Sequence, residues 1–465
     1  MTLVAVHLVC GLPFLLLPLS QIWFVMCNKA LPLSSRYRQA LDYLYSQLPM
    51  FQRIGPAAFK KDLTNIRAFC EHLGHPEKDF PAIHIAGTNG KGSVAHALAA
   101  IFSASGFKTG LYTSPHYRDF RERVKLDGQL IPKKYVAEFV ETHQPFCDEL
   151  KPSYFEWTVA LAFDYFAREK VDMAIIETGL GGRLDSTNIL TPLLCIITNI
   201  GFDHTDMLGD TLPLIAGEKA GIIKPGIPVV IGETHPETLP VFAQKAAEQA
   251  APITFADQAF RAFLKNKNET HANYEVVKNG SVLYDNLAVN LLGDYQHKNL
   301  CTVLQALDVF EKNYPALVPP GGLNIVEGLR DLTKRSNFIG RWQYLGHAPR
   351  ILCDSAHNED GIREALEGLR NIPHDKLHFV MGTVSDKPPG KVLALLPPDA
   401  TYYFAKANIP RGLDAKILQS EAARFGLSGK HYSSVKRALA AARHRAKQDD
   451  LIFVGGSIFV VAEVV

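Results

Sequence analysis

The sequence lacks an excess of charge of either sign. It contains 49 lysine and arginine residues against 47 aspartate and glutamate residues, a formal net charge of +2. So small an excess argues against nucleic acid or an anionic membrane as the main partner. Repeats of solenoid period and low-complexity segments are also missing, which argues against repeat arrays and disordered tracts. With 47% hydrophobic and 21% charged residues, the composition is typical of a globular chain.

Closely spaced cysteines are missing as well. The seven cysteines are scattered, and neither a Cys-x-x-Cys pair nor a His/Cys cluster with zinc spacing occurs. An odd, dispersed set is typical of a reducing compartment, where most thiols serve as small buried apolar groups. The cysteine pattern therefore predicts a cytoplasmic protein.

Lysine and arginine are absent from the first 25 residues, which are nearly all apolar. A secretory signal needs a basic start and a small-residue cleavage site, and Pro13 and Pro18 suit a spanning helix poorly. We interpret residues 1–25 as an apolar extension from a misassigned start, with translation beginning at Met26. A membrane anchor is the alternative, and N-terminal sequencing of the native protein decides between the two.

The rest of the chain alternates short apolar runs with helix-like segments. The runs at 83–86, 173–176, 194–198 and 229–231 are predicted strands. Continuous apolar strands that alternate with helices indicate a mainly parallel sheet covered on both faces. At 253–292 the pattern changes to short strands and turns, which predicts a small β-rich flap.

A chain of 465 residues is too long for one compact core, so two domains are expected. The α/β alternation resumes from residue 350 and predicts a second, smaller α/β domain. The expected division is 26–333 and 339–465, with a linker near 334–338. Helices are predicted near the start of the first domain, at 36–48 and 57–73, from apolar residues at three-to-four spacing.

A glycine-rich turn lies between the strand at 83–86 and a helix predicted over 94–105. Its glycines let the backbone wrap a phosphate chain and present N–H groups to it, and the helix N-terminus adds partial positive charge. Lys91 supplies a full cation and Ser93 a hydroxyl suited to phosphate or metal. An ordinary glycine-rich turn is the alternative. The loop consists of Gly87, Thr88, Asn89, Gly90, Lys91, Gly92 and Ser93.

Candidate metal ligands occur elsewhere in the first domain. Glu177 stands at the end of a predicted strand, where parallel sheets place ligands, and Ser114 offers a hydroxyl. Mg²⁺ prefers oxygen ligands and keeps several waters, so both residues are candidates. His204 by itself is more often a core or surface residue than a ligand, and Lys219 by itself suggests a solvated surface lysine.

Four further segments, each expected to follow a strand, accompany the loop. They are Tyr112–His116, Glu177–Asn188, Gly201–Thr205 and Gly217–Lys224. In this order the motifs resemble the Mur ligase superfamily, and the Gly-Ser ending of the loop is similar to its folate-ligase branch, the dihydrofolate synthase/folylpolyglutamate synthase family. The resemblance extends from about Tyr37 to Val465. It implies a P-loop, Mur-ligase-like ATPase domain followed by a smaller Rossmann-like α/β domain.

The resemblance also implies roles for particular residues. The ATP contacts would be the loop 87–93 with Asn299, Arg341 and Asp354. The Mg²⁺ ligands would be Ser93, Ser114, Glu177 and His204, with K⁺ as a candidate further cation. The catalytic residues would be Lys91, a carbamylated Lys219 and His357, the last helping to close the site.

The expected activity is ATP-dependent addition of L-glutamate to dihydropteroate, to (tetrahydro)folate or to both, through an acyl phosphate. The expected protein is a monomer without nucleic-acid or membrane partners. A Mur ligase acting on peptidoglycan precursors is one alternative, but only about sixty residues separate Met26 from the loop, too few for a further α/β domain. A non-catalytic nucleotide-binding regulator is the other, and Glu177, His204 and Lys219 argue against it.

Overall fold

The structure of the chain is a computed structural model that describes residues 31–47, 62–385 and 388–465. The extension at 1–25 lies outside these residues, as do residue 48 of the helix predicted at 36–48 and residues 57–61 of the helix predicted at 57–73. Within the described ranges, no helix is long and apolar enough to cross a membrane.

An eight-stranded sheet organises the first part of the chain. Its strands are β1 (Ala82–Ala86), β2 (Thr109–Tyr112), β3 (Val124–Leu126), β4 (Gln129–Leu130), β5 (Met173–Glu177), β6 (Leu194–Ile197), β7 (Val229–Ile231) and β8 (Ile253–Phe255). Across the sheet the order is β4-β3-β2-β5-β1-β6-β7-β8, with parallel pairing from β2 to β8 and antiparallel pairing at β3 and β4. The predicted mainly parallel sheet is confirmed.

Both faces of this sheet are buried. In β5, Met173 and Ile175 pack into one hydrophobic core, and Ala174 and Ile176 pack into another. Successive side chains of a strand point to opposite faces, so a strand between two cores is mostly apolar; His84 in β1 is buried and pairs with Thr187 at 2.8 Å. This is why the strands in the middle of the sheet are continuous apolar runs in the sequence.

Helices cover the two faces. They are α1 (Leu33–Gln47), α2 (Thr64–His72), α3 (Lys91–Ala104), α4 (Lys133–Leu150), α5 (Tyr154–Glu169), α6 (Thr205–Leu208), α7 (Leu212–Ala220), α8 (Leu239–Glu248), α9 (Ala256–Ala259), α10 (Gln296–Asn313), α11 (Ile325–Arg330) and α12 (Leu332–Ser336). Short 3₁₀ turns occupy Pro76–Lys78, Phe120–Arg123, Ser186–Ile189 and Pro315–Leu317. Helix α3 begins at Lys91 rather than at the predicted Val94, because Gly90 caps it with a φ of +86°.

A three-stranded antiparallel sheet forms the flap. Its strands are β9 (Phe260–Lys267), β10 (Ala272–Lys278) and β11 (Ser281–Val289), in the order β11-β10-β9. The predicted range 253–292 was wrong at its start, because Ile253–Phe255 pairs in parallel with β7 and belongs to the large sheet. Buried flap residues such as Tyr274 and Val276 share a core with α3, and the flap strand β9 packs against α10.

A six-stranded sheet organises the last part of the chain. Its strands are β12 (Gln343–His347), β13 (Arg350–Cys353), β14 (Leu377–Met381), β15 (Thr401–Ala405), β16 (Gly429–Tyr432) and β17 (Leu451–Gly455). The helices with them are α13 (Glu359–Arg370), α14 (Gly390–Leu393), α15 (Ala415–Ala423), α16 (Val435–Arg445) and α17 (Ile458–Val461). The order is β12-β13-β17-β14-β15-β16, parallel except for β12.

The segment between the large and the six-stranded sheets differs from the expected linker. Helix α12 continues to Ser336, so 334–336 are helical and only the end of the predicted range 334–338 is irregular. The buried Lys125 in β3 fixes this helix end, because its Nζ donates to the carbonyls of Ser336 at 3.2 Å and Asn337 at 3.0 Å. The division into domains 26–333 and 339–465 stays a prediction.

Candidate active site

The glycine-rich loop connects β1 to α3, as predicted. A Cβ atom on Gly90 would lie 2.2 Å from the Asn299 side-chain oxygen, so this left-handed position accepts only glycine. Lys91 turns back onto its own loop, where its Nζ donates to the carbonyls of Gly87 at 3.0 Å and Thr88 at 3.1 Å. The loop therefore holds a lysine ammonium where phosphate-binding groups are expected.

Neighbouring elements brace the rest of the loop. The Asn89 N–H donates to the Asn199 side chain at 2.8 Å, just beyond the end of β6. The Ser93 Oγ accepts a hydrogen bond from Gln296 Nε2 at 3.2 Å. Asn299 donates to the same Gln296 side chain at 2.7 Å. The start of α10 is therefore in direct contact with the loop and with the first turn of α3.

Glu177 lies beside the loop, at the end of β5. Its Oε2 accepts from the Ser114 backbone N–H at 3.2 Å, and a Cβ on Gly92 would lie 3.9 Å from both carboxylate oxygens. Burial raises the pKa of Glu177 to about 7, while the charge of Lys91 opposes this rise. A buried carboxylate without enough positive charge around it favours a cation, so this position fits a metal ligand.

The other predicted ligands contribute hydroxyl and imidazole groups. Ser114 contacts Glu177 through its backbone N–H, and Ser93 directly follows Gly92, whose Cβ position lies 3.9 Å from the same carboxylate. His204 opens α6 with a φ of +51°, and its Nε2 lies 3.8 Å from Asp203 Oδ2. No group of three or more His, Cys, Asp or Glu side chains that could hold a metal exists among residues 31–47, 62–385 and 388–465. The donor set is thus rich in hydroxyls, which suits a hard cation that keeps water ligands.

The structure corrects the predicted position of the segment that carries Lys219. The segment Gly217–Lys224 does not follow a strand, because residues 217–220 form the end of α7. Lys219 is also not a surface residue. It is 3% exposed, and its Nζ donates to the Gly87 carbonyl at 2.7 Å, the same oxygen that Lys91 contacts. Burial first, and then the charge of Lys91, lower the pKa of Lys219 to about 7.

The last part of the chain reaches the site through the loop after β13. Asp354 accepts from Tyr295 OH at 2.6 Å and from the Trp342 N–H at 2.8 Å, both at Oδ2. The Arg341 guanidinium lies 3.9 Å from Asp354 Oδ1, and its charge acts on the pKa values of both Lys91 and Glu177. Arg341 and Asp354 therefore belong to the same electrostatic cluster as the loop.

Two further contacts join this loop to the first part of the chain. His357 Nε2 lies 3.2 Å from Asp203 Oδ2, and the Asn358 amide lies 3.1 Å from Asn89 Oδ1. Asn89 is part of the glycine-rich loop, so the second sheet closes directly over it. The charges of Lys91, Glu177 and Arg341 act on one another, and His204 lies beside Asp203, which contacts His357.

Sequence reasoning gave no role to Asp203, Tyr295, Gln296 or Tyr117. Asp203 directly precedes His204 in the motif Gly201–Thr205. The sequence therefore shows its position, but not its contact with His357. The contact of Gln296 with Ser93 and of Tyr295 with Asp354 depends on how α10 packs. No local signal identifies either one.

Comparison with known proteins supports one family. Residues 85–307 match the Mur ligase middle domain, and residues 340–458 match the Mur ligase glutamate ligase domain. The dihydrofolate synthase/folylpolyglutamate synthase of Bacillus subtilis is 31% identical over 438 residues, 92% of this chain and 98% of that protein. The probable bifunctional folylpolyglutamate synthase/dihydropteroate synthase of Haloferax volcanii is 34% identical over 437 residues, and the chain spans 50% of its length.

Solved structures agree with these relatives. Escherichia coli FolC in complex with DHPP and ADP aligns with a TM-score of 0.77 and 30% identity, covering 94% of this chain and 97% of that one. The Yersinia pestis bifunctional folylpolyglutamate synthase/dihydrofolate synthase, complexed with AMPPNP and a Mn ion, aligns with a TM-score of 0.77 and 30% identity over 94% and 97%. On these grounds the chain belongs to the dihydrofolate synthase/folylpolyglutamate synthase family of Mur ligases.

Proposed function

We propose that this chain uses ATP to join L-glutamate to the carboxylate of dihydropteroate, of (tetrahydro)folate or of both. The relatives that cover the chain along its length carry these activities in their names, and the related structures hold ADP or AMPPNP. The observation that carries the proposal is the meeting of Lys91 and Glu177 with Arg341, which comes from the other sheet. Such a cluster suits a nucleotide phosphate chain.

In the first step, a substrate carboxylate oxygen attacks the γ-phosphorus of ATP. The bond from that phosphorus to the β,γ-bridging oxygen breaks, which yields an acyl phosphate and ADP. Negative charge on the transferred group is neutralised by Lys91 and Arg341, whose cations are already fixed around the loop. For this, Lys91 exchanges the carbonyls of Gly87 and Thr88 for phosphate oxygens.

In the second step, the neutral amino group of glutamate attacks the acyl carbon. Inorganic phosphate leaves with the electrons of the broken C–O bond, the nitrogen gives up a proton, and an amide forms. Water would hydrolyse the acyl phosphate, so the site must be closed. The contacts of His357 with Asp203 and of Asn358 with Asn89 support closure over the loop.

In the proposed site, Ser93, Ser114, Glu177 and His204 would hold a divalent cation. When bound, Mg²⁺ would offset the charge of the ATP phosphates and polarise them. K⁺ is a candidate second cation. Because the pKa of Glu177 is raised to about 7, cation binding should release a proton from this carboxyl near neutral pH.

We also propose that Lys219 is carbamylated. Its lowered pKa of about 7 leaves much of the amine neutral at neutral pH, and a neutral amine adds to CO₂ with loss of one proton. The product replaces a cation by an anion, which removes the repulsion with Lys91. Carbon-13 NMR with labelled bicarbonate should show a carbamate signal that Lys219→Gln removes and Lys224→Gln, at a partly buried lysine, retains. A signal unchanged in Lys219→Gln would contradict the assignment.

We expect a cytoplasmic protein from its cysteines and a monomer from the family resemblance. The described cysteines, Cys70, Cys147, Cys195, Cys301 and Cys353, are all free and buried, as in a reducing compartment. Light scattering after size exclusion measures the mass, and a dimer at assay concentration would contradict the expected monomer.

Glutamate-dependent ADP formation tests the function. The assay compares dihydropteroate, tetrahydrofolate and a UDP-muramoyl peptide precursor as acceptors, and activity only with the last would favour a peptidoglycan ligase. Lys91→Ala should lower the rate about thousandfold, the scale of losing a cation at a transferred phosphoryl group. Lys134→Ala, at an exposed lysine on α4 with a side chain 68% exposed, is the matched control. Full activity of Lys91→Ala would refute the role of the loop.

A further inference from the structure

Tyr117 reaches from the first part of the chain into the last. It lies three residues beyond Ser114, in the irregular segment after β2, and its hydroxyl is 2.6 Å from Ser355 Oγ and 3.3 Å from the Gly340 carbonyl. Its ring lies against Gly340, where a Cβ atom would be 2.3 Å from the Tyr117 ring. Gly340 has a φ of +76°. Only glycine fits there, so this contact is tightly defined.

The direction of the hydrogen bonds follows from Ser355. Its Oγ donates to the Gly340 carbonyl at 2.5 Å, and its backbone N–H donates to the same oxygen at 3.2 Å. The hydroxyl proton of Ser355 is used in this shorter contact, while Tyr117 lies 3.3 Å from the same carbonyl, so Ser355 Oγ accepts from Tyr117. Ser355 is fully buried, so water does not compete for this bond. Tyr117 is therefore the donor that completes a closed set of three groups.

The hydrogen-bonded set of Tyr117, Ser355 and Gly340 lies next to two proposed ATP contacts in the chain. Gly340 directly precedes Arg341, and Ser355 directly follows Asp354. The two proposed ATP contacts are thus each next to a residue that Tyr117 holds. At the other end, the backbone N–H of Tyr117 donates to the Glu122 carboxylate at 2.7 Å, which anchors the segment that carries Ser114.

The electrostatics fit a donor role. Burial raises the pKa of Tyr117 to about 12, although the charge of Arg341 acts in the opposite direction. The hydroxyl therefore keeps its proton at any physiological pH and can donate throughout. Arg341 is close enough for the two groups to influence each other, and Tyr117, Asp354 and Tyr295 all favour its charged form.

We propose that Tyr117 is a positioning residue that sets Arg341 and Asp354 against the Ser114 segment when nucleotide is bound. The inference rests on the proposed ATP-dependent ligase function and adds a residue to which that function gives no role. Tyr117 does not touch the reacting atoms. It acts through Ser355 and Gly340, so its removal should weaken nucleotide binding and phosphoryl transfer without removing any predicted ATP or metal contact.

The test uses the full chain and a nucleotide that does not react. Tyr117→Phe keeps the ring against Gly340 and removes only the hydroxyl, and Ser355→Ala removes its acceptor. Tyr117→Phe should raise the Kd for AMPPNP with Mg²⁺ about fivefold to tenfold, the effect of one lost hydrogen bond. Ser355→Ala should raise it at least as much, because it also removes the bond to the Gly340 carbonyl. The double variant should show no loss beyond that of Ser355→Ala, which breaks the contact with Tyr117 together with the bond from Ser355 Oγ to the Gly340 carbonyl. Tyr402→Phe is the control, since the Tyr402 hydroxyl donates to the Pro397 carbonyl at 2.6 Å within the last part of the chain.

The outcomes separate this proposal from the proposed function. AMPPNP affinities within twofold of the parent in both single variants, or losses that add in the double variant, would overturn the positioning role even if the parent is an active ligase. A parent that binds AMPPNP but forms no ADP with glutamate and a folate would overturn the function, while the binding cycle would still measure the contact. Thermal unfolding of both variants checks the fold, and Ser355→Ala keeps the test decisive if Tyr117→Phe does not fold.

Discussion

When no ligand is bound, the buried carboxylate of Glu177 should lower the free energy of unfolding of the protein. Its pKa is raised from 4.5 to about 7, chiefly by burial. For an acid whose pKa is raised on folding, the folded state binds more protons than the unfolded state between these two pH values, so stability falls as pH rises through this window. At pH 8 the charged carboxylate costs about 3 kcal/mol relative to its neutral form, at 1.36 kcal/mol per pKa unit.

The variant Glu177→Gln imitates the protonated side chain and can still accept from the Ser114 N–H. It should be more stable than the parent at pH 8, by up to about 3 kcal/mol. The gain should fall towards zero as pH decreases from 7 to 4.5. Activity should be nearly lost, since the amide is a poor ligand for Mg²⁺.

Urea unfolding without metal at pH 5 and pH 8 measures the difference. Glu156→Gln is the control, because Glu156 is also a buried glutamate, and its Oε2 accepts from the Ser153 N–H at 2.6 Å in the capping box of α5. That variant should lose about 0.5–1 kcal/mol at pH 8, since it removes a charge that a helix N-terminus favours. If Glu177→Gln were no more stable than the parent at pH 8, the electrostatic reasoning would be wrong.

Two further predictions concern the contacts between the two parts of the chain. Asp203→Asn should lower kcat/KM for ATP about tenfold to a hundredfold, because it weakens a hydrogen bond to His357 and removes a negative charge that raises the pKa of Lys91. Steady-state kinetics measure this, and an equal loss in Asp210→Asn, at an exposed neighbour, would show that the contact with His357 is not the cause. Arg341→Lys should raise the Kd for AMPPNP about tenfold although the charge is kept, because the ammonium cannot replace a planar guanidinium. Calorimetry checks the affinity, and an unchanged Kd would exclude a geometric role.

The sequence predicted those features that depend on local pattern. The strands in the middle of each sheet are buried on both faces, so they are apolar runs that can be seen without a structure. The edge strands Gln343–His347 and Gly429–Tyr432 were not predicted, because their residues are exposed or half-buried and form no apolar run. The helix Lys133–Leu150 was also missed.

The candidate site also contains some features that local sequence predicts and others that it does not. The loop 87–93 could be found because glycine, lysine and serine have defined uses between a strand and a helix. The burial of Lys219, by contrast, depends on the packing of α7 against the loop, and nothing in its neighbours along the chain shows that its amine reaches the Gly87 carbonyl. The contact between Tyr117 and Ser355 joins residues 238 positions apart and requires the arrangement of both sheets.

The shared carbonyl of Gly87 affects how nucleotide can enter. Two amines donate to this one oxygen, Lys91 Nζ at 3.0 Å and Lys219 Nζ at 2.7 Å, so their positive charges repel each other and an arriving anion would offset both. In the proposed first step Lys91 moves to the phosphates, which would leave the oxygen to Lys219 alone. Binding of one reactant thereby changes the surroundings of a second amine, and the reactivity of Lys219 towards CO₂ should differ between the protein with and without nucleotide.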